Sequence, residues 1–450
     1  MNKFRIYLTM LAAAAIFSCS ESGKSVTPQL QSFSVILNKN SALVVKVKFS
    51  LSVDSKAHVK YWQASESESS AKLSALSDSK INHTVSLYQL REKTAYNYKV
   101  VVLDASGNES ETSQIQTFTT EAMPAWLNTY YKTAENTIQE TLPGYYFVVP
   151  SAKPNGLLLI NNSGKIAWYW SPPSNYIVKT ARMTAKNSVL MLLDENATPF
   201  GDGNILLETN LAGDTLSYFR MGEKGFDKSI HHDLQMDSKG NIVAITNTFS
   251  NNLPGDGIIV LDSQGKKIWE WSTFSELTNI DPTNYAQPWG NSLVIDKDNN
   301  YIVSLRSLSQ VWKINSSTGK VMWKLGKNGT IKMPETSNFL FQHFAHRNAN
   351  DEIMLFDNGS AARPETRLLS FNLNETTLEA TPKINISLPQ NLYSMIMGST
   401  SLLPDGNLLT VSAVNGKILK MTKTGQILWT ISASQPIYRA EYLANPFETE

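Results

Sequence analysis

Residues 231–245, HHDLQMDSKGNIVAI, decide how this chain is read. A polar start leads into an alternating strand, an Asp-Ser-Lys-Gly turn and a second, apolar strand, which is the pattern of a β-hairpin. Three later stretches lie over it without gaps at the strand starts: residues 290–305 (GNSLVIDKDNNYIVSL), 342–356 (QHFAHRNANDEIMLF) and 398–412 (GSTSLLPDGNLLTVS). A further strand carries Gly-x-x-x-Trp, at Gly164 to Trp168, Gly265 to Trp269, Gly319 to Trp323 and Gly425 to Trp429. Strand starts recur near residues 144, 189, 232, 291, 343 and 398. Their separation, roughly 40 to 60 residues, is that of a four-stranded propeller blade with variable loops. Six starts predict a six-bladed β-propeller, with seven blades as the alternative.

The overlay also brings chemistry together. His232, Asn291, His343 and Gly398/Ser399 fall at one equivalent position, the mouth of an innermost strand, and in a propeller those mouths line the central channel. Only six histidines occur, and four of them form the pairs His231-His232 and His343/His346 at two of these mouths. Period-two alternation turns at least one member of each pair outward. The exits of the inner hairpins carry Asn247, Arg306 and Asp357-Asn358. Arg306 follows an apolar Ile302-Val303-Ser304-Leu305 strand, and a channel-facing arginine needs an anionic partner, a need that an oxyanion ligand meets.

Outside the repeats, composition bounds the class. At 450 residues the chain holds more than one domain. Its 40 basic and 39 acidic residues nearly cancel, so no global field argues for nucleic acid or an anionic membrane surface. Aromatic, β-branched and small polar residues with few amphipathic stretches indicate an all-β protein. Residues 28–120 read as a small Ig-like or fibronectin-III-like sandwich, with His58 and His83 facing solvent and carrying no role. A linker at Glu121 to Pro124 opens the propeller, residues 125–450. Residues 1–19 read as a lipoprotein signal peptide: a basic start, an apolar run from Ile6 to Phe17 too short to span a bilayer, and Ile16-Phe17-Ser18-Cys19 as a lipobox. Cys19, the only cysteine, becomes the lipidated first residue, and residues 20–27 a tether; an ordinary cleaved signal is the other reading. The expected placement is exported, periplasmic or at the cell surface, anchored in the membrane through lipid alone.

With these residues in view, the chain resembles the bacterial arylsulfate sulfotransferases, which do not use a nucleotide donor. The resemblance rests on His231-His232-Asp233, Asn291-Ser292, Ser304-Leu305-Arg306, Phe341-Gln342-His343 and Leu355-Phe356-Asp357-Asn358-Gly359, in that order, and on Met397-Gly398-Ser399-Thr400 and Tyr438-Arg439-Ala440-Glu441-Tyr442 nearer the end. It implies a phenolic sulfate donor, a phenol acceptor and no cofactor. It also implies His343 as the transiently sulfurylated nucleophile, His232 and Asn291 as active-site residues and Arg306 as the sulfate-binding arginine. Two departures stand out. The family's His-x-Asn is here Trp289-x-Asn291, so one auxiliary histidine is missing, and the disulfide of family members cannot form in a chain with one cysteine.

The residues support that chemistry on their own terms. A sulfate monoester repels nucleophiles, and Arg306, Asn291 and a protonatable His232 offset its charge. Neutral His343 attacks sulfur, and a second phenol then takes the group. His232 is the first choice to protonate the departing phenolate, with Tyr393, His231 and His346 as alternatives; Trp289, Asn358 and Tyr393 are expected to contact substrate. No metal-ligand pattern stands out, since Asp296 to Asn300 lacks the terminal Glu of a calcium loop and reads as a hairpin turn. Without Cys-x-Pro-x-Arg, hydrolysis through formylglycine is excluded. A propeller that binds phenolic, sulfated or sugar ligands without turning them over is the other functional reading.

Overall fold

The computed structural model describes residues 28–104, 106–111, 113–132, 142–151, 155–195 and 202–447. The signal peptide, the tether and Cys19 lie outside the described residues. The chain divides into two compact units, with the break between Pro124 and Ala125.

The first unit is one seven-stranded sheet. Its spine is a 19-residue strand, Val45–Gln63. The first half of that strand pairs with Leu30–Leu37 on one side and Ser77–Leu87 on the other, and its second half pairs with Ala95–Leu103. Val45, Val47 and Phe49 from the first half and Val59 and Tyr61 from the second join one core. The sandwich expected from the sequence is therefore drawn as a continuous sheet wrapped on itself. His58 and His83 do not face solvent: both are buried. His83 stacks on Phe49 with ring centroids 4.6 Å apart, and its ring nitrogens reach Ser77 Oγ at 2.6 Å and the Lys80 carbonyl at 2.7 Å. It is a satisfied core residue, which alternation in a polar-looking strand did not reveal.

The second unit is a six-bladed propeller. Blades 2 to 5 each use four consecutive strands, starting from Ile177–Met183, Ile230–Met236, Gly290–Ile295 and His343–Arg347. Blade 6 starts at Ser399–Leu402 and gains Tyr131–Lys132 on its outer edge. Blade 1 is closed by both ends of the unit: Ile437–Leu443 pairs antiparallel with Tyr145–Pro150 as its innermost strand. The repeat starts near 232, 291, 343 and 398 thus mark innermost strands, whereas those near 144 and 189 mark second strands. For blade 1 the reason is closure, which takes the innermost strand from far along the chain.

Cores lie between neighbouring blades, and this explains strands that are apolar on both faces. In the second strand of blade 4, Ile302 packs toward blade 5 while Tyr301 and Val303 pack toward blade 3. The glycines of the Gly-x-x-x-Trp units sit in turns before fourth strands at left-handed φ of 72° to 91°, a conformation open to glycine at no steric cost.

Candidate active site

Five of the six innermost strands break their pairing register near the loop end of the channel: between Val178 and Thr180, Ile230 and Leu234, Gly290 and Ser292, His343 and His346, and Ile437 and Arg439. Bulges of this kind re-aim side chains and end the simple alternation of faces. His232, Trp289, Phe341, Phe344 and Met397 all take left-handed φ between 52° and 57°, a backbone cost of about 1–3 kcal/mol each that the surrounding sheet must hold. That is why His231 does not turn outward as alternation predicts. It is buried, and its Nδ1 lies 2.8 Å from Nδ1 of His232.

His343 is the best-defined side chain of the site. It is 5 % exposed. Its Nδ1 meets Asn358 Oδ1 at 2.7 Å, and Asn358 Nδ2 donates to the carbonyls of Ser394 and Met397, both at 2.7 Å. Those two carbonyls fix which end of the amide is oxygen, so His343 must carry its hydrogen on Nδ1. The lone pair is then on Nε2, which accepts a long 3.2 Å bond from the Met397 N–H. Burial pushes the imidazole down to about 4, with Arg306 adding to the effect and the Asn358 bond opposing it. It is neutral at pH 7 with its lone pair on a defined nitrogen.

Arg306 is half-buried and lies over the rings of Phe341 at 4.8 Å and Trp289 at 5.4 Å. Among the described residues its guanidinium has no carboxylate partner. Burial lowers its pKa, and its charge in turn depresses both His343 and His232. Trp289, 48 % exposed, donates from Nε1 to Gln287 Oε1 at 2.8 Å. His232 is surrounded by protein yet open to solvent along the channel; burial, then His231 and His343, hold its pKa well below the ordinary value. Asn291 is buried, donates to the Gln342 carbonyl at 2.7 Å, and its Oδ1 has no partner among the described residues.

Other motif residues prove to be supports. Asp357 accepts from Arg363 and Arg367, and from the N–H groups of Leu340 and Gly359, which ties two loops down beside Asn358. Asn358, expected to touch substrate, is fully buried behind His343 with its amide committed as described. Tyr393 is half-buried, and its loop supplies the Ser394 and Met397 groups around Asn358. His346 lies farther along its strand, beside a cavity of about 500 Å³ lined in part by Arg182, Gln235, Asp296 and Phe344.

Sequence reasoning missed the floor of the channel. Asp233 is fully buried and takes Arg182 through Nε at 3.1 Å and Nη2 at 2.8 Å, and Arg439 through Nη1 at 2.8 Å. Arg182 also reaches Glu441. Burial works to raise the Asp233 carboxyl, but the two arginines outweigh it and hold it down to about 2. Phe344 lies beneath both guanidiniums, at 5.2 and 4.9 Å. Tyr438 donates its hydroxyl to the His232 carbonyl at 2.9 Å. Asp233, Arg439 and Glu441 lie in the motifs that carry the resemblance, but nothing in the sequence showed that they meet, and Arg182 was marked only by its charge in a largely apolar strand.

The profile of the arylsulfotransferase (ASST) family matches residues 129–445. The chain belongs to the arylsulfotransferase family. An aryl sulfotransferase function, with aryl sulfate and phenol as substrates, follows at that level. Among curated proteins nothing matches the chain. Solved structures that resemble the chain include a protein of unknown function from Bacteroides caccae, at 12% identity and a TM-score of 0.45, covering 67% of this chain and 100% of that one. Another is a catalytically inactive virginiamycin B lyase from Staphylococcus aureus with quinupristin, at 15% identity and a TM-score of 0.40, covering 68% of this chain and 87% of that one.

Proposed function

We propose that the protein moves a sulfuryl group from a phenolic sulfate ester to a phenol in two steps, through a sulfohistidine on Nε2 of His343. The observation that carries this reading is the pairing of a neutral, tautomer-fixed His343 with a half-buried arginine that has no carboxylate partner among the described residues. The sulfate group lies against Arg306, whose planar fork suits two sulfuryl oxygens. Nε2 attacks sulfur, the bond to the aryl oxygen breaks, and the electron pair leaves on that oxygen. The Met397 N–H, displaced from the lone pair, is then close to the transferred oxygens. Because Nδ1 faces an amide oxygen rather than a carboxylate, the sulfohistidine keeps its Nδ1 hydrogen and its positive charge, which makes neutral imidazole a good leaving group for the second phenol.

In this reading His232, open to the channel, gives the departing phenolate a proton. Cys19 as a lipid anchor would hold the enzyme at an exported membrane surface, periplasmic or outside the cell. One observation favours the other reading, a propeller impaired in catalysis that binds phenolic, sulfated or sugar ligands: Trp289 places an exposed indole where the family has a histidine. Incubation with 4-nitrophenyl sulfate, with and without phenol, decides between them. Phenol-dependent nitrophenol release is expected; release without phenol marks a hydrolase, and saturable binding with no release supports the binding reading.

A further inference from the structure

We infer that Asp256 and His231 are positioning residues that store, behind His232, the proton exchanged between the two phenols. The inference rests on the sulfotransferase reading above, in which His232 faces the reacting oxygen. Its basis is a line of three buried or channel-facing groups on blade 3. Asp256, on the third strand Leu253–Leu261, is 1 % exposed, and its Oδ1 lies 3.2 Å from Nε2 of His231 at an angle short of a good hydrogen bond. Nδ1 of His231 lies 2.8 Å from Nδ1 of His232, with the two rings nearly perpendicular at 88°. Consecutive residues of a regular strand face opposite ways, so only the register break between Ile230 and Leu234 brings these rings together.

Hydrogen counting sets the resting state. Two ring nitrogens 2.8 Å apart need one hydrogen between them. The carboxylate accepts only, so Nε2 of His231 bears a hydrogen; neutral His231 then offers a lone pair at Nδ1, and His232 supplies the shared hydrogen. Nε2 of His232 is left bare toward the channel. A proton added there makes an imidazolium, and a shift of the shared hydrogen moves the positive charge onto His231, beside Asp256. The other charged or titratable groups facing this line are His343 and Arg306 across the channel, Asp233 on the same strand, Tyr438 on blade 1, and Tyr285, whose buried hydroxyl is unpartnered near Asp256. Burial, then His231, His343 and Arg306, disfavour charge on His232, while Asp233 favours it; a second carboxylate, Asp256, one imidazole away would add to Asp233 once the charge moves onto His231.

The pair enters the cycle carrying that one added proton, and over the two halves the balance then closes without another reactant. In the first half, sulfur bonds to His343, the aryl oxygen departs with the electron pair and takes the proton from His232 Nε2. In the second, the acceptor phenol returns its proton to that nitrogen as its oxygen attacks sulfur and the S–N electrons revert to His343. The donor's acidity then determines how much the stored proton matters. In the full chain, Asp256→Asn and His231→Gln should slow transfer from phenyl sulfate, whose phenolate is strongly basic, by about 30-fold or more in kcat with KM little changed, and transfer from 4-nitrophenyl sulfate by less than about 3-fold. Equal losses with both donors, or no loss with either, overturn the inference. Nitrogen-15 NMR of the histidines reads it without turnover: the His231–His232 pair should take up its proton at lower pH in Asp256→Asn than in the unaltered protein, and unchanged titration overturns it. If the unaltered protein transfers nothing, the sulfotransferase reading fails, and the NMR titration still decides whether Asp256 holds the proton.

Discussion

The channel has two ends lined by the same strands, and they treat charge in opposite ways. On the floor, Arg182, Arg439, Asp233 and Glu441 answer one another. At the loop end Arg306 has only aromatic faces beneath it among the described residues, and burial together with its charge pushes His343 and His232 below the ordinary imidazole range. Buried ions that are mutually paired report on architecture, whereas a half-buried cation with no counter-ion reports on something that arrives. The two histidines of blade 5 carry the same contrast. His343 and His346 are both pushed down to about 4 by burial, yet His346 donates from Nδ1 to the Phe344 carbonyl at 3.0 Å and faces the far cavity.

The sharpest way to break the comparison is at these histidines. His343→Ala should reduce transfer by on the order of 10⁴-fold or more, as loss of a nucleophile does elsewhere, and should remove any sulfuryl adduct from the intact mass. His346→Ala should leave transfer within about 3-fold. A labelled peptide that lacks His343 would move the nucleophile elsewhere.

The floor should fail in stability rather than rate. Asp233→Asn leaves Arg182 and Arg439 facing a neutral amide, and breaking a buried ionic network by one partner costs about 3–5 kcal/mol, to be read from urea unfolding. Arg306→Ala should do the reverse. Turnover falls about 100-fold, since one preorganised donor to developing charge contributes a few kcal/mol, and the unfolding midpoint stays put. Lys at 306 should restore part of the rate, because an ammonium lacks the planar fork. Full activity in Arg306→Ala would end the sulfate-site account.

Acid separates His346 from His343 more gently. Both have a folded pKa near 4 against an ordinary 6.5. The unfolded chain therefore binds protons that the native protein cannot, and stability falls as pH drops from about 6.5 toward 4. His346→Gln should flatten part of that loss in melting temperature across the window while transfer at pH 7 is unchanged. An identical acid slope in the variant would show that His346 is not held neutral by the fold.

Legibility followed the same division. The propeller was readable because turn residues and two-sided apolar strands repeat along the chain, as at Tyr301 to Val303. Blade 1 was not, since Ile437–Leu443 completes a sheet begun almost 300 residues earlier. Motif spacing pointed to His343, His232 and Arg306. It could not show that Asn358 stands behind His343, that His231 turns inward, or that Asp256 lies behind it. Each depends on a register break or a loop path, and a period-two reading assumes neither.

The smallest expected effect is at Trp289, within the loop end itself, where the resemblance leads one to expect a histidine. The residue has φ of 53°, a conformation that histidine adopts more readily than tryptophan. Trp289→His therefore adds no backbone strain. It removes an indole beneath Arg306 at 5.4 Å, a contact of about 0.5–1 kcal/mol at an exposed site, and so loosens the guanidinium slightly. It also adds a second imidazole two residues before Asn291, near the oxygen that must gain or lose a proton. If proton transfer limits turnover, the gain outweighs the loosening, and transfer to weakly acidic phenols should rise by about 3-fold to 10-fold with little change for acidic ones. A fall in kcat/KM for every acceptor would mean instead that the exposed indole of Trp289 is the surface on which the phenol lies, and that this chain substitutes stacking for the missing histidine.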